Sequence, residues 1–386
     1  MAKVVTFLGT RSEIIKLSPL IPALSQHFEH ALVHSGQHTA PEMDSLFFEE
    51  LGLPPADHSL QVGFAPHAQQ IARMMIGFEA ILLERRPAAL ILLGGTNTAL
   101  AGALTGIKLE VRVAHLEAGV RTLNPRMPEE INRALIDRMS NWLFAPDERA
   151  RRQLLAEGLD SRHIDIVGST TIDACRRNLH LAEARPTLER MKLTTREYIV
   201  LTVHRAENTE PDTLGEIVAA VNALSRIWPI VFPIHPRTRQ ALGDTNPFGE
   251  NVKVISPLGY LDMLNLAQRA RVLLTDSSGL QEEAAALGTP ALIIRNETEW
   301  PHLIELGSSA LVGNTYHSLM DRAWPLIASD AALDAMRRRA DAASGGAVAR
   351  ILSRLASDLG VSLQSEITSP PEATASSPAI LESPAS

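Results

Sequence analysis

The stretch that decides the fold runs from Val4 to Glu13 and reads VVTFLGTRSE, an apolar run that ends in a turn containing Gly9. A short apolar run without alternation is typical of a strand covered on both faces. A helix is predicted next, from Glu13 to Gln26. A Gly turn between strand and helix can present backbone N–H groups to a phosphate. An ordinary strand–helix connection would look the same, so this turn alone does not identify a phosphate site.

The same strand–helix unit recurs along the chain. Further strands are predicted at Ala31–His34, Ala89–Leu93, Val111–Leu116, Tyr198–Val203, Ile230–Ile234, Val252–Ile255, Val272–Thr275 and Ala291–Ile294. Such alternation predicts an α/β protein with doubly wound parallel sheets. A charged helical region, Ala174–Arg196, separates the two series of strands. We therefore expect two Rossmann-like domains.

The predicted domains are residues 1–170 and residues 171–346, and the helix 347–360 is predicted to pack back on the first domain. Residues 361–386 are rich in Ser, Pro, Ala and Glu and contain no aromatic residue. Such a segment cannot bury enough apolar surface to order itself. We expect it to be a disordered tail.

Composition narrows the class of protein. The 386 residues are 45% hydrophobic and carry 36 Lys and Arg against 44 Asp and Glu, a net charge of −8. This acidity argues against a general nucleic-acid or membrane-surface binder. No apolar run reaches the ~20 residues that span a bilayer, and the N-terminus lacks the pattern of a signal peptide. The single cysteine, Cys175, excludes an internal disulfide framework and a Cys-built metal site. A cytoplasmic globular enzyme or binding protein is expected.

One motif of the second half suits a nucleotide diphosphate. It is TDSSGLQEE, residues 275–283, in which Ser277, Ser278 and Gly279 stand where a helix is predicted to begin. Small residues at a helix N-terminus leave room for phosphate oxygens. Glu283 follows one turn later, and its carboxylate offers two acceptors to the two hydroxyls of a ribose. A helix cap followed by surface acids would be the alternative.

Two histidine motifs follow neighbouring predicted strands. HRAEN begins at His204, and HPRTR begins at His235. The carboxyl ends of strands in an open α/β sheet face the ligand crevice. A lone histidine is usually structural, but these two stand among cations on one edge.

The densest motif lies in the first half. HLEAGVR, residues 115–121, contains Glu117 and Arg121, and MPEEINR, residues 127–133, contains Glu129, Glu130 and Arg133. An acid in a first helical turn can simply complement the helix dipole. Three carboxylates and two arginines at one strand–loop–helix junction favour proton transfer instead.

In this order the motifs resemble the non-hydrolysing UDP-N-acetylglucosamine 2-epimerases. The matching segments are GTRSEIIKLSP (9–19), SGQH (35–38), HLEAGVR (115–121), PEEINR (128–133), HRAEN (204–208), TDSSGLQEE (275–283) and NETEWPHLIEL (296–306). The resemblance spans about residues 1–359. It implies the GT-B fold with the active site in the cleft between two Rossmann-like domains.

The resemblance also implies a reaction and its residues. The family interconverts UDP-N-acetylglucosamine and UDP-N-acetylmannosamine, or a decorated UDP-HexNAc, by eliminating UDP and adding it back, without a metal or nicotinamide cofactor. By resemblance Glu117, Glu129 and His204 are catalytic. The implied substrate-binding residues are Arg11, Lys16, Gln37, His38, Arg121, Arg133, His235, Ser277, Ser278, Gly279 and Glu283. A homodimer that serves polysaccharide biosynthesis is the corresponding expectation.

Two positions depart from the family pattern. Gly95 stands where the family typically has a catalytic Asp, and Ser278 stands where it usually has a second Gly. Another acid could replace the missing one, the sugar could be modified, or the chain could bind nucleotide sugars with little turnover. A GT-B glycosyltransferase and a non-catalytic nucleotide-sugar-binding homologue therefore remain alternatives to the epimerase.

Overall fold

The computed structural model describes residues 1–37, 47–122, 127–340 and 345–363, and their strands form two sheets. The strands of the first are β1 Lys3–Leu8, β2 Glu29–His34, β3 His58–Ser59, β4 Ala89–Leu93, β5 Arg112–Leu116, β6 Trp142–Ala145 and β7 Ile164–Ile166. Those of the second are β8 Ile199–Thr202, β9 Ile230–Pro233, β10 Val252–Ile255, β11 Val272–Thr275, β12 Ala291–Ile293 and β13 Ser309–Leu311.

Helices connect the strands in both halves. In the first half they are α1 Arg11–Leu17, α2 Leu20–His27, α3 His67–Arg85, α4 Asn97–Lys108, α5 Pro128–Met139 and α6 Glu148–Ala156. In the remainder they are α7 Thr170–Glu183, α8 Thr187–Met191, α9 Ala206–Thr209, α10 Pro211–Ser225, α11 Pro236–Leu242, α12 Tyr260–Gln268, α13 Ser278–Leu287, α14 Pro301–Leu306, α15 Tyr316–Ser318, α16 Trp324–Ala328, α17 Asp330–Ala340 and α18 Ala347–Leu359. Among the described residues, none of these helices is long and apolar enough to cross a membrane.

Both sheets are parallel and doubly wound, which confirms the predicted fold class. The first has the order β3-β2-β1-β4-β5-β6-β7, and the second has the order β10-β9-β8-β11-β12-β13. Val4 and Val5 of β1 point into apolar cores on opposite faces of the sheet. The strand order reverses between β1 and β4 and again between β8 and β11, and ligands of such sheets bind beside those reversals.

The structure differs from the sequence predictions at several elements. The predicted helix from Glu13 to Gln26 is two helices, because Pro19 has no N–H to donate and interrupts the ladder. Strands β3, β6, β7 and β13 were not predicted. They have two to four residues each, which is too short for a clear pattern of hydrophobicity.

Helix α7 connects the two halves, and α18 returns to the first half. Helix α7 packs against α1 on one side and against α12 and α13 on the other. Helix α18 packs against α2 and α7, and Trp142 of β6 donates its indole N–H to Asp358 at 2.7 Å. Asp173 of α7 accepts the backbone N–H groups of Gly346 and Val348, at 2.6 and 2.9 Å. The first turn of α18 is therefore capped by the helix that crosses between the halves. From residue 364 on, the predicted tail lies outside the described residues.

Candidate active site

Glu117 stands at the carboxyl end of β5 and is paired with a lysine. Its backbone is left-handed, with φ +61°, a conformation that costs ~1–3 kcal/mol outside Gly. The Nζ of Lys16, on α1, lies 2.5 Å from Glu117 Oε1. Burial lowers the pKa of Lys16, but the carboxylates of Glu117 and Glu282 raise it by more. The net shift is therefore upward. The structure thus brings together a carboxylate from the end of β5 and an ammonium from the last turn of α1.

The turn after β4 holds Gly95, and the space beside it is occupied. Gly94 has the positive φ, +65°, whereas Gly95 does not. A Cβ on Gly95 would clash with the carbonyl oxygen of Glu129 and lie 2.8 Å from Arg133 Cγ. Asn132 of α5 donates its side-chain N–H to Gly95 O at 2.9 Å. Helix α5 therefore docks where a side chain at position 95 would stand, and Gly95 opens no extra space for a modified sugar.

A buried network of hydrogen-bonded side chains links α5 to β5. His115 is fully buried, with Nδ1 2.7 Å from Asp137 Oδ1 and Nε2 2.9 Å from Gly94 O. Arg121 donates to the other Asp137 oxygen at 2.6 Å and to both oxygens of Glu157 at 2.9 and 2.8 Å. Burial raises the pKa of Asp137, but His115 and Arg121 lower it by more. Arg121, predicted to bind substrate, has a side chain only 5% exposed and is committed to these two acids.

On the second sheet, Asp276 organises the segment that carries His204. Its Oδ2 accepts the backbone N–H groups of His204 and Arg205, at 2.8 and 2.9 Å, and the side-chain N–H of Asn208 at 3.1 Å. Its Oδ1 lies 3.0 Å from His204 Nδ1. Asp276 was quoted in the sequence motif but not predicted as a site residue. Its adjacency to His204 depends on the pairing of β8 with β11.

His235 lies beside His204 at the same sheet edge, with ring centroids 5.2 Å apart. Burial lowers the pKa of His235, and the nearby His204 and Arg237 lower it further. Arg205 contacts the hydroxyl of Ser278 and lies 3.1 Å from Glu299 Oε1. The Ser that departs from the family pattern thus holds an arginine at the start of α13.

A cavity of about 310 Å³ opens between the two halves. Its lining includes four of the predicted residues, Arg11, Lys16, Gly279 and Glu283, together with Phe47, whose ring is 5.5 Å from the Arg11 guanidinium. Arg11 and Lys16 come from α1 and the other two predicted residues come from α13. Ser277 caps α13 by accepting the N–H of Leu280. A helix N-terminus with small side chains and a cation opposite can hold a diphosphate.

The adjacent acids Glu282 and Glu283 have pKa values raised to about 7. Burial is the main cause for both, and Lys16 opposes the rise. Glu282 accepts the hydroxyl of Ser169 at 2.7 Å. Both acids are therefore partly protonated near neutral pH, before any nucleotide binds.

Of the remaining predicted residues, three lie in the first half and one lies outside the residues that the structure describes. Gln37 accepts the hydroxyl of Thr98 at 2.9 Å, at the start of α4. Glu129 is exposed in the first turn of α5. Arg133 Nη1 is 3.7 Å from Glu130 Oε2. His38 lies outside the described residues.

Comparisons with known proteins place the chain in a family. The family model described as UDP-N-acetylglucosamine 2-epimerase matches residues 23–356. The UDP-N-acetylglucosamine 2-epimerase of Methanocaldococcus jannaschii is 42% identical over 82% of this chain and 90% of its own length. The UDP-2,3-diacetamido-2,3-dideoxy-D-glucuronate 2-epimerase of Pseudomonas aeruginosa is 38% identical over 83% of this chain and 91% of its own.

Among solved structures, the M. jannaschii UDP-GlcNAc 2-epimerase in complex with UDP-GlcNAc and UDP superposes with a TM-score of 0.79. That match is 38% identical and covers 93% of this chain and all of the other. The two parallel sheets are accordingly those of the GT-B fold, as the resemblance implied. The chain belongs to the UDP-N-acetylglucosamine 2-epimerase family.

Proposed function

We propose that this protein interconverts UDP-N-acetylglucosamine and UDP-N-acetylmannosamine, or a decorated UDP-HexNAc, by eliminating UDP and adding it back. The observation that carries the proposal is the cavity between the halves. Lys16, which is paired with Glu117, lines this cavity together with Gly279 at the start of α13 and Glu283. One side suits a sugar that must lose a proton, and the other suits a nucleotide diphosphate that must leave.

The chemistry requires a base at carbon 2 and stabilisation of the departing diphosphate. In the elimination, a carboxylate takes the carbon 2 proton, the electron pair of that C–H bond forms the C1–C2 double bond, and the C1–O bond breaks. Its electron pair stays on the β-phosphate. Re-addition of UDP, with the proton delivered to the opposite face, gives the epimer. We assign the proton transfers to Glu117 and Glu129 and support of the leaving diphosphate to His204.

The other substrate contacts are assigned from where each residue lies in the structure. Glu283 is assigned to the ribose hydroxyls, and Ser277, Ser278 and Gly279 at the start of α13 are assigned to the diphosphate. Arg11, Lys16, Gln37, His38, Arg121, Arg133 and His235 remain proposed substrate contacts; for Arg121, the two carboxylates that bind it favour a supporting role.

A decorated sugar is the second candidate substrate. The P. aeruginosa relative is named for a diacetamido-glucuronate nucleotide, so the family includes such activity. Gly95 supplies no carboxylate, and a substrate that needs one fewer acidic contact would tolerate that loss.

We also propose that each chain has two domains: residues 1–170, completed by the helix 347–360, form the first, and residues 171–346 form the second. The protein is further proposed to be a cytoplasmic homodimer. Helices α3, α4 and α5 pack side by side, and they expose apolar side chains that a second copy would cover. These are Ile76, Leu83, Ile107, Ile131 and Leu135, each 45–73% exposed. Light scattering of the purified protein gives the mass that decides this point.

The deciding experiment is proton NMR of the purified protein with UDP-GlcNAc in D₂O. An epimerase incorporates deuterium at carbon 2 and forms the manno epimer. A glycosyltransferase would release UDP only after an acceptor is added. UDP binding without any exchange, on plain and on uronate-bearing UDP-HexNAc, would refute the proposed function.

A further inference from the structure

Asp276 is a buried acid that the proposed function does not use. It directly follows β11 and is fully inaccessible to solvent. Its Oδ2 is saturated by three donors, two backbone N–H groups at 2.8 and 2.9 Å and the Asn208 side chain at 3.1 Å. Asn208 is itself held, because it donates to Ile294 O at 2.9 Å and accepts from Asn314 at 3.0 Å. The carboxylate therefore has a fixed plane.

The second oxygen of Asp276 faces the His204 ring. Oδ1 lies 3.0 Å from His204 Nδ1, within hydrogen-bond distance, although in the described part of the chain no donor is aligned with this oxygen. Burial raises the pKa of Asp276, but His204 and the two backbone N–H groups lower it by more, so the acid is ionised. An ionised carboxylate only accepts hydrogen bonds. Any proton shared by the two groups therefore belongs to Nδ1.

We propose that Asp276 is a positioning residue that holds His204 by Nδ1, so that Nε2 faces the departing diphosphate. The His204 side chain is 30% exposed, and Nε2 is on the ring edge opposite Asp276. When Nε2 takes up a proton, the nearby carboxylate stabilises the resulting imidazolium. Nε2–H then donates a hydrogen bond to the β-phosphate oxygen on which the C1–O electron pair remains. This inference rests on the proposed function, since it needs a leaving diphosphate.

The test combines kinetics with the tautomer of His204. In protein with ¹⁵N-labelled histidine, the His204 signals are assigned by their loss in His204→Gln. Wild type is expected to carry the proton on Nδ1 when the ring is neutral. In Asp276→Asn the side-chain NH₂ faces the ring, so the proton moves to Nε2. We expect kcat for exchange at carbon 2 to fall by ~10²-fold or more, with KM and the affinity for UDP little changed.

Two further variants separate positioning from simple loss of structure. Asn208→Ala removes three buried hydrogen bonds of the same segment, one of them to Asp276 Oδ2, but leaves the two backbone donors on that carboxylate and Oδ1 opposite the ring. It should lower the melting temperature while keeping the Nδ1–H tautomer and most of kcat. Asp276→Glu keeps the charge and should recover part of kcat, together with the tautomer.

Several outcomes would overturn the inference. One is a neutral wild-type His204 that carries its proton on Nε2, which is decisive even where Asp276→Asn does not fold. Another is an equal loss of kcat in Asn208→Ala and Asp276→Asn. Complete absence of exchange in wild type would count against the proposed function instead, because the tautomer is measured independently of turnover.

Discussion

The two walls of the cleft carry charge in different ways. On the wall built from the first sheet, side chains bind side chains, as in the Lys16–Glu117 pair and the chain from His115 through Asp137 to Arg121. On the wall built from the second sheet, backbone N–H groups hold the acid, and a helix N-terminus with small residues faces the cavity.

This difference separates two tasks. A group that exchanges protons needs a partner whose charge stabilises one protonation state, and an ion pair supplies that. A nucleotide diphosphate keeps its charge throughout, so fixed dipoles that need not reorganise suit it better. Variants of the first wall should therefore change exchange, and variants at the start of α13 on the second wall should change nucleotide binding. Asp276 and His204 are the exception on the second wall, because they act on the departing diphosphate and so on turnover.

The largest effect is expected for the carboxylates of the first wall. Glu117→Gln and Glu129→Gln each keep shape and hydrogen bonding but remove a base. Exchange at carbon 2 should fall by at least ~10²-fold, while calorimetry finds UDP binding intact. Wild-type exchange in both variants would end the carboxylate mechanism and the contrast between the walls.

The second prediction concerns pH and Glu282, which couples the walls through Lys16. Burial raises the pKa of the Glu282 carboxyl from the ordinary value of 4.5, which applies to the unfolded chain, to about 7 in the folded protein. Ionisation thus costs stability progressively as pH rises from 4.5 to 7, by at most about 3 kcal/mol. Glu282→Gln cannot ionise in either state. Without nucleotide, its melting temperature relative to wild type should rise over that interval and then level off; a difference independent of pH would contradict this.

The third prediction tests the ribose contact of the second wall. Glu283→Ala removes the carboxylate that lines the cavity beside Gly279. Loss of a charged hydrogen-bond partner should weaken UDP binding by about 1.5–3 kcal/mol, measured by calorimetry. Glu305→Ala, a change in α14 outside the cavity, is the matched control. Equal affinity in all three proteins would place the nucleotide elsewhere.

The fourth prediction asks whether the first wall tolerates an added acid. Gly95→Asp places a Cβ against the Glu129 carbonyl and Arg133 Cγ, so α5 must move. Such overpacking should cost about 1–3 kcal/mol of stability, seen as a lower melting temperature. Gly279→Ala is the control, because an added Cβ there meets nothing within 4 Å. If Gly95→Asp has the melting temperature of wild type and a faster exchange at carbon 2, the overpacking prediction is wrong, and Gly95 marks the plain loss of a catalytic acid.

The smallest effect is expected outside both walls. A chain that ends after Leu363 lacks a segment rich in Ser and Pro, which has little apolar surface to bury. Its melting temperature and exchange rate should equal those of the full chain. A marked drop in either would show that the segment docks onto the fold.

Much of the fold could be predicted because buried parallel strands leave continuous apolar runs. Ala89–Leu93, Val252–Ile255 and Val272–Thr275 were predicted with their observed bounds. Edge strands such as Ile164–Ile166 are short and half exposed, so their composition resembles that of loops. Pro19 was visible in the sequence, and its missing N–H could have predicted the break between α1 and α2.

The site was predictable as a set of motifs but not as a network. Glu117 and Glu283 could be singled out by type and by place after a strand. The ion pairs of Arg121 could not, because Asp137 and Glu157 lie 16 and 36 residues away along the chain. At Gly95 the sequence revealed the absent acid, whereas only the packing of α5 reveals that its space is filled.

The cap that Asp173 places on α18 has a mechanical consequence. Helix α7 leads from the first half to the second, α18 packs on the first half again, and Asp173 of α7 binds the start of α18 at Gly346 and Val348. A connection made of two chain segments side by side can bend about the line that joins the segments, but it resists twisting of one half relative to the other. Any opening of the cleft about this connection would keep its two walls in register, and a diphosphate that leaves a sugar and adds back to it would require that register.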